Sequence, residues 1–175
     1  MNKPKSSPLS VALSFLSRRP LTVFQLEQKL RNKGYKSEEI GVAIKKLIAW
    51  GYLDDYSYAR TFIKTRKKEL SAQRIYTKLL KVGIDKEIIR ELLEKIYPEE
   101  LEYQNCLKLA DVLCSKEYQK WRQNYCKNPK YNNISPKTYL YRKVGNKLLY
   151  RGYRSEVVYA VLSEILKEKI EKERL

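Results

Sequence analysis

Asp54 and Asp55 are adjacent carboxylates, and paired acids can serve as metal ligands or as an acid/base couple. Neighbouring residues on a helix do not face one point, however, and an apolar run follows this pair. N-capping is therefore the better reading. Glu38, Glu87 and Glu156 read the same way, as first-turn acids that meet a helix dipole. The chain has no histidine, so it lacks the commonest general base and the commonest metal ligand. Cys106, Cys114 and Cys126 form no CxxC pair and cannot complete a usual zinc site without histidine. An odd number of scattered cysteines fits reduced, buried thiols in a cytoplasmic protein. There is no phosphate-cradling glycine loop and no Ser/His/Asp set. The expectation is a chain that is not an enzyme and needs no cofactor. No signal peptide or membrane span is expected either; Leu9 to Leu16 is apolar but short and broken by serines.

Binding chemistry is more plentiful. The 175 residues carry 37 Lys/Arg against 20 Asp/Glu, a net charge of +17 that calls for a polyanionic partner, most often nucleic acid. From Tyr118 to Ser155 there is no acid, but there are ten Lys/Arg and eight Tyr/Trp. Cations neutralise phosphates and flat rings stack on exposed bases. Chosen on charge alone, the residues expected to contact such a partner are Arg60, Lys64, Lys67, Lys68, Arg122, Arg142, Lys143, Lys147, Arg151 and Arg154. The competing reading of such residues is a solvated helix face, but solvated faces normally mix both signs. Among the tyrosines, Tyr139 and Tyr150 are expected in the core, with Tyr141 and Tyr153 more open.

The elements that must position these side chains come from a repeat. LEQKLRNKGYKSEEIGVAIKKL (26–47), IYTKLLKVGIDKEIIRELLEKI (75–96) and VGNKLLYRGYRSEVVYAVLSEI (144–165) align on Gly34, Gly83 and Gly152. Lysine stands five residues before each glycine and leucine four before; glutamate stands four after. Leu26 and Leu30 share a helix face, the glycine ends that helix, and Ser37, Asp85 and Ser155 are expected to cap the next. A helix pair of this kind cannot bury its apolar face alone, so copies must stack. A third helix is expected after each of the first two pairs, from about Asp55 to Leu70 and from about Glu99 to Tyr118. Thr22 with Gln25 forms a capping box, Ser71 caps the second copy, and Ser7-Pro8 opens a short helix that can stand in for a third helix.

With 43% hydrophobic and 33% charged residues, six glycines and six prolines, the expected class is all-α: an elongated, curved array of tandem three-helix repeats. The predicted divisions are an N-terminal tail and short helix (1–20), repeat 1 (21–70), repeat 2 (71–120), a basic loop (121–135), and a third helix pair with a charged C-terminus (136–175). Residues 1–7 are expected to be disordered, the loop mobile, and the C-terminus to fray past Lys169.

LEQKLRNKGY (26–35), GYLDDYSYAR (51–60), IYTKLLKVGID (75–85) and KLLYRGYRSEVV (147–158) together resemble the RecX family, bacterial regulators of the RecA recombinase. The Leu53-Asp54-Asp55 run followed by Tyr58-Ala59 is the most specific piece, and the resemblance covers roughly residues 9–166. It implies a helical-repeat protein that lies in the groove of the RecA filament on single-stranded DNA. Such a protein restrains filament growth, ATP hydrolysis, strand exchange and co-protease action, with no catalytic residues of its own. The tyrosine-rich, acid-free segment departs from the family pattern in its basicity. Two alternatives stand beside this reading. One is a direct nucleic-acid-binding helical regulator acting without RecA; the other is a protein scaffold whose charge serves solubility. A duplex-reading module would need base-reading side chains at the start of a recognition helix, and the second helices begin with acids instead.

Overall fold

The computed structural model describes residues 6–125 and 134–173, with side chains over 6–124 and 134–167. Among these residues there are nine helices and no strand. They are α1 (Pro8–Leu16), α2 (Val23–Asn32), α3 (Ser37–Ala49), α4 (Asp55–Arg66), α5 (Ala72–Lys81), α6 (Lys86–Ile96), α7 (Glu99–Tyr125), α8 (Pro136–Tyr150) and α9 (Ser155–Glu173). No helix among the described residues is long and apolar enough to cross a membrane. The expectations for residues 1–5 and for most of the basic loop (126–133, with Cys126) lie outside the described residues, as do the side chains beyond 167.

Each helix pair is joined by the same turn. Gly34, Gly83 and Gly152 have φ of 85°, 83° and 80°, the left-handed conformation that glycine adopts without strain. Around each, two reversed hydrogen bonds close the helix end: Gly34 N–H to Arg31 O and Tyr35 N–H to Leu30 O in the first copy, with counterparts at Gly83/Ile84 and Gly152/Tyr153. This motif brings the residue after the glycine onto the residue four before it. Accordingly Tyr35, Ile84 and Tyr153 are buried, as are Leu30, Leu79 and Leu148.

The next helix starts three residues after the glycine in every copy, at Ser37, Lys86 and Ser155. The cap position is thus Lys36, Asp85 or Arg154. Only Asp85 caps as expected, accepting the Glu87 N–H at 2.7 Å. Ser37 and Ser155 are first helical residues instead, and Lys36 N–H is met by the Glu39 carboxylate at 3.1 Å. The other expected caps hold: Ser7, Thr22, Asp54 and Ser71 each accept the N–H three residues on, and Ser135 does the same at the start of α8.

Two third helices differ from expectation. α4 stops at Arg66, short of Leu70, because the next carbonyls have other partners: Asn105 Nδ2 donates to Lys67 O at 2.7 Å and Tyr97 Oη to Leu70 O at 2.9 Å. α7 runs on to Tyr125, past Tyr118 and into the stretch assigned to the basic loop. Buried Trp121, stacked on Tyr118, carries an apolar contact one turn further than the acid-free composition suggested.

Packing divides the chain into two compact units, residues 1–65 with 76–96, and residues 66–75 with 97–175. In the first, α1 packs on α2 and α3 around Ala12, Leu26, Leu30, Ile40, Ile44 and Leu47. In the second, α7 packs on α8 and α9 around Cys106, Ala110, Leu140, Val144, Leu148 and Leu162. α1 therefore stands to its pair as α7 does to its own, the place foreseen for the Pro8 helix. The triplet that packs is a helix together with the pair that follows it, so the units cut across the sequence copies.

Within each unit the start of one copy is fastened to the glycine turn of the next. Thr22 Oγ1 donates to Val82 O at 2.5 Å, and Ser71 Oγ donates to Arg151 O at 2.7 Å. Val82 and Arg151 are the residues before Gly83 and Gly152. Both hydroxyl residues are fully buried. The glycines are needed for space as well as for φ: a Cβ on Gly83 would overlap Phe24, and one on Gly152 would lie 3.0 Å from Ser71 Oγ. A Cβ on Gly34 would meet nothing within 4 Å.

Two stability measurements test these joints. Ser71→Ala should cost about 1–3 kcal/mol from the lost cap and the orphaned Arg151 carbonyl. Ser71→Asp should recover little of it, since an ionised carboxylate caps an N-terminus but cannot donate to a carbonyl; full recovery in urea unfolding would show that capping alone matters. Gly34→Ala should lose about 1–2 kcal/mol from backbone strain, whereas Gly83→Ala should lose about 1–3 kcal/mol more through overlap with Phe24. Equal losses at the two glycines would refute the close approach.

Candidate functional site

The structure sorts the ten expected contact residues by what each already holds. Arg60 and Lys64 are exposed on α4 in the first unit. Lys67 and Lys68 lie beyond the end of α4. Arg122 on α7 and Arg142 and Lys143 on α8 are exposed. Lys147 and Arg154 are tied to acids. Lys147 Nζ lies 2.6 Å from Glu117 Oε1, and Glu117 is only 4% exposed. Arg154 reaches Glu99 at 2.7 Å and buried Glu102 at 3.0 Å.

The acid-free segment therefore meets its acids in space. Glu99, Glu102 and Glu117 all lie on α7, facing α8 and α9. Burial pushes the Glu117 carboxyl up, but hydrogen bonds from Lys147 and Lys120 outweigh it and hold the group below its ordinary value. Tyr139 Oη adds a third donor at 3.3 Å. Cys106 is buried in the same core, and its thiol is pushed up to about 12 by burial and by Glu102. Such a thiol is a poor nucleophile. Cys114 is buried too, and neither is in a disulfide.

Asp54 and Asp55 do structural work. Asp54 accepts from Ser57 N–H and Oγ at 2.9 and 2.7 Å, and these bonds lower its pKa. Asp55 accepts Val23 N–H at 2.9 Å, meeting an amide at the start of α2. The two carboxylates thus serve different helix ends.

A groove of about 470 Å³ in the second unit is lined by Arg74, Leu113, Asn146, Lys147, Tyr150 and Arg151. No acid lines it, though Glu117 stands behind Lys147. Tyr150 is 84% exposed and Tyr153 is 5% exposed, the reverse of the expectation. The turn explains the exchange, because the residue after the glycine must fold back on the helix while the residue two before it points away. Asn32 and Lys81, which match Tyr150, are exposed as well. Tyr139 is buried as expected, and half-buried Tyr141 stacks on Tyr159 with ring centroids 6.0 Å apart. Arg74, not among the expected contact residues, also lines the groove; it occupies the position three after a hydroxyl cap where the first copy has the capping-box residue Gln25.

The fold is that of a tandem helical-repeat protein of the all-α class. Residues 9–47 match the family model for the first three-helix domain of RecX. The chain is 46% identical over 92 residues to a regulatory protein RecX of Caldanaerobacter subterraneus subsp. tengcongensis, covering 52% of this chain and 47% of that protein. It is 32% identical over 155 residues to the regulatory protein RecX of Clostridium botulinum, covering 89% and 66%. The crystal structure of RecX from Lactobacillus salivarius superimposes with a TM-score of 0.72 at 24% identity, covering 90% of this chain and 93% of that one. The chain belongs to the RecX family of regulatory proteins. It spans about half to two thirds of the length of the relatives it matches.

The Glu117 cluster gives a test by pH. A folded-state carboxyl held below its unfolded value contributes stability that is present above the unfolded pKa, here near 4.5, and is lost as pH falls through the folded value. Glu117→Gln should cost about 1–3 kcal/mol at neutral pH, and its urea midpoint should fall less than the parent's on acidification below 4.5. Parallel acid profiles for the two proteins would show that Glu117 is not among the linked groups.

Proposed function

We propose that this chain restrains the RecA recombinase by binding its filament on single-stranded DNA. In this reading it limits filament growth, ATP hydrolysis, strand exchange and co-protease action, works in the cytoplasm, and contributes no catalytic residue or cofactor. The observation that carries it is the extent of the likeness: 89% of the chain aligns with the regulatory protein RecX of Clostridium botulinum. The charge of +17 agrees with a partner assembly that contains nucleic acid. A repeat array can touch several points of a filament, and tethered contacts that are weak singly add up.

A duplex-reading regulator acting without RecA is less well supported. α3, α6 and α9 open on Glu38 and Glu39, Glu87 and Glu156, and acids there repel phosphate and cannot read base edges as a recognition helix does.

The test is RecA ATP hydrolysis on single-stranded DNA with increasing amounts of this protein, together with strand exchange. Both should fall with added protein, and the effect should weaken as salt rises because exposed cations are screened. Undiminished hydrolysis and strand exchange at several-fold excess over RecA, in low salt, would remove this reading.

A further inference from the structure

The two joints between copies are built alike but surfaced differently. Both have a buried hydroxyl on the carbonyl before a left-handed glycine. Position by position their surroundings then part. Two residues after the hydroxyl stands Phe24 at the first joint, lying against Gly83, and Gln73 at the second. Three after it stands Gln25, whose side chain accepts the Thr22 N–H, and at the second joint Arg74. Arginine has no acceptor, so the second joint gives up half of its capping box for a cation. Just before the glycine stand Lys81-Val82 at the first joint and Tyr150-Arg151 at the second. The second joint thus gains two guanidinium groups and an exposed ring. It does so at sites where the repeat itself asks only for a capping glutamine and a turn.

We infer that the groove at this second joint is a binding site for single-stranded nucleic acid, with Arg74 and Arg151 on the backbone phosphates and a base stacked on Tyr150. Two cations bracket a groove without acidic lining, which suits a phosphodiester, and guanidinium forks match phosphate oxygens better than ammonium does. Lys147 is only partly available, because its charge is shared with Glu117. A tyrosine 84% exposed at a helix end has its ring faces open to solvent, and a splayed base offers a matching flat face. Bases in a duplex are already stacked on one another and cannot meet it. Asn146 adds donors and an acceptor for a base edge. The choice of DNA over RNA rests on the RecA reading; the phosphate and stacking chemistry does not.

The experiment uses the full chain without RecA and follows fluorescence anisotropy of a labelled oligothymidylate of about 20 nucleotides. A duplex and an oligouridylate of the same length serve as comparisons. Tyr150→Ala should weaken oligothymidylate binding roughly ten-fold or more while leaving the duplex nearly unchanged, and Tyr150→Phe, which keeps the ring, should bind like the parent. Arg74→Gln with Arg151→Gln should weaken binding and lower the salt slope by about 0.7 per lost contact. Lys45→Gln with Lys46→Gln, two exposed cations on α3, should do neither. Oligothymidylate should bind at least as tightly as oligouridylate; the reverse would overturn the DNA assignment. Unchanged oligothymidylate affinity in Tyr150→Ala would overturn the site. So would an equal loss in the Lys45/Lys46 control, which would mark the binding as diffuse charge. RecA inhibition measured on the same variants separates the two readings. If it persists while these losses fail to appear, the groove assignment falls and the regulatory reading stands.

Discussion

One hydroxyl oxygen closes two helix ends at each joint. Thr22 Oγ1 and Ser71 Oγ accept an N–H at the start of their own helix and donate to a carbonyl at the end of a helix in the next copy. A hydroxyl can do both because it carries one proton and two lone pairs. Aspartate, an equally good cap in isolation, could serve only the first. The rest follows from this requirement. A Cβ on Gly83 would overlap Phe24 and one on Gly152 would crowd the Ser71 hydroxyl, so both turn residues are glycine for space as well as for φ. The same turn forces the residue after the glycine inward and leaves the one two before it outside. Cap, turn and core position are therefore coupled at each of the two joints.

The second unit adds an electrostatic constraint. The segment from Tyr118 to Ser155 lacks acids in sequence, and the folded chain supplies them from α7. Glu102 and Glu117 are almost fully buried, where an unpaired carboxylate would be costly, and each is met by charged donors from α8 or the start of α9. The cations that answer them are committed to structure, and the basic surface is smaller than the net charge suggests. Arg74 and Arg151 differ in that the groove they line holds no carboxylate among the described residues.

The sequence made much of this legible, and the limits are physical. Helix class, the glycine turns and the Ser7, Thr22, Asp54 and Ser71 caps rest on local chemistry, and local chemistry is written in adjacent residues. Ser37 and Ser155 were misread as caps because residue type was weighed above spacing. The turn sets the restart three residues after the glycine whatever residue lies there. The ends of α4 and α7 are decided by Asn105, Tyr97 and Trp121, whose partners lie far along the chain or in the core. Which lysines are paired depends on α7 lying against α8 and α9, and no spacing rule reveals that. Tyr150 and Tyr153 were exchanged for a subtler reason. Both are aromatic residues flanking a glycine, and only the folding-back of the chain at the turn tells them apart.

That exchange shows how a repeat separates its structural positions from its free ones. The hydroxyl, the glycine and the apolar residue after it recur wherever a joint forms, because changing any of them opens the joint. The residues beside them face solvent and carry no such demand. At the first joint they still serve packing and capping, through Phe24 on Gly83 and Gln25 on Thr22. At the second joint they have become Gln73 and Arg74, with Tyr150 and Arg151 across the turn. Solvation alone would be satisfied by any polar residue there and gives no reason to leave a tyrosine ring in water, since exposed apolar area is unfavourable. A ring 84% exposed beside Arg74 and Arg151 fits the base-stacking role proposed for Tyr150.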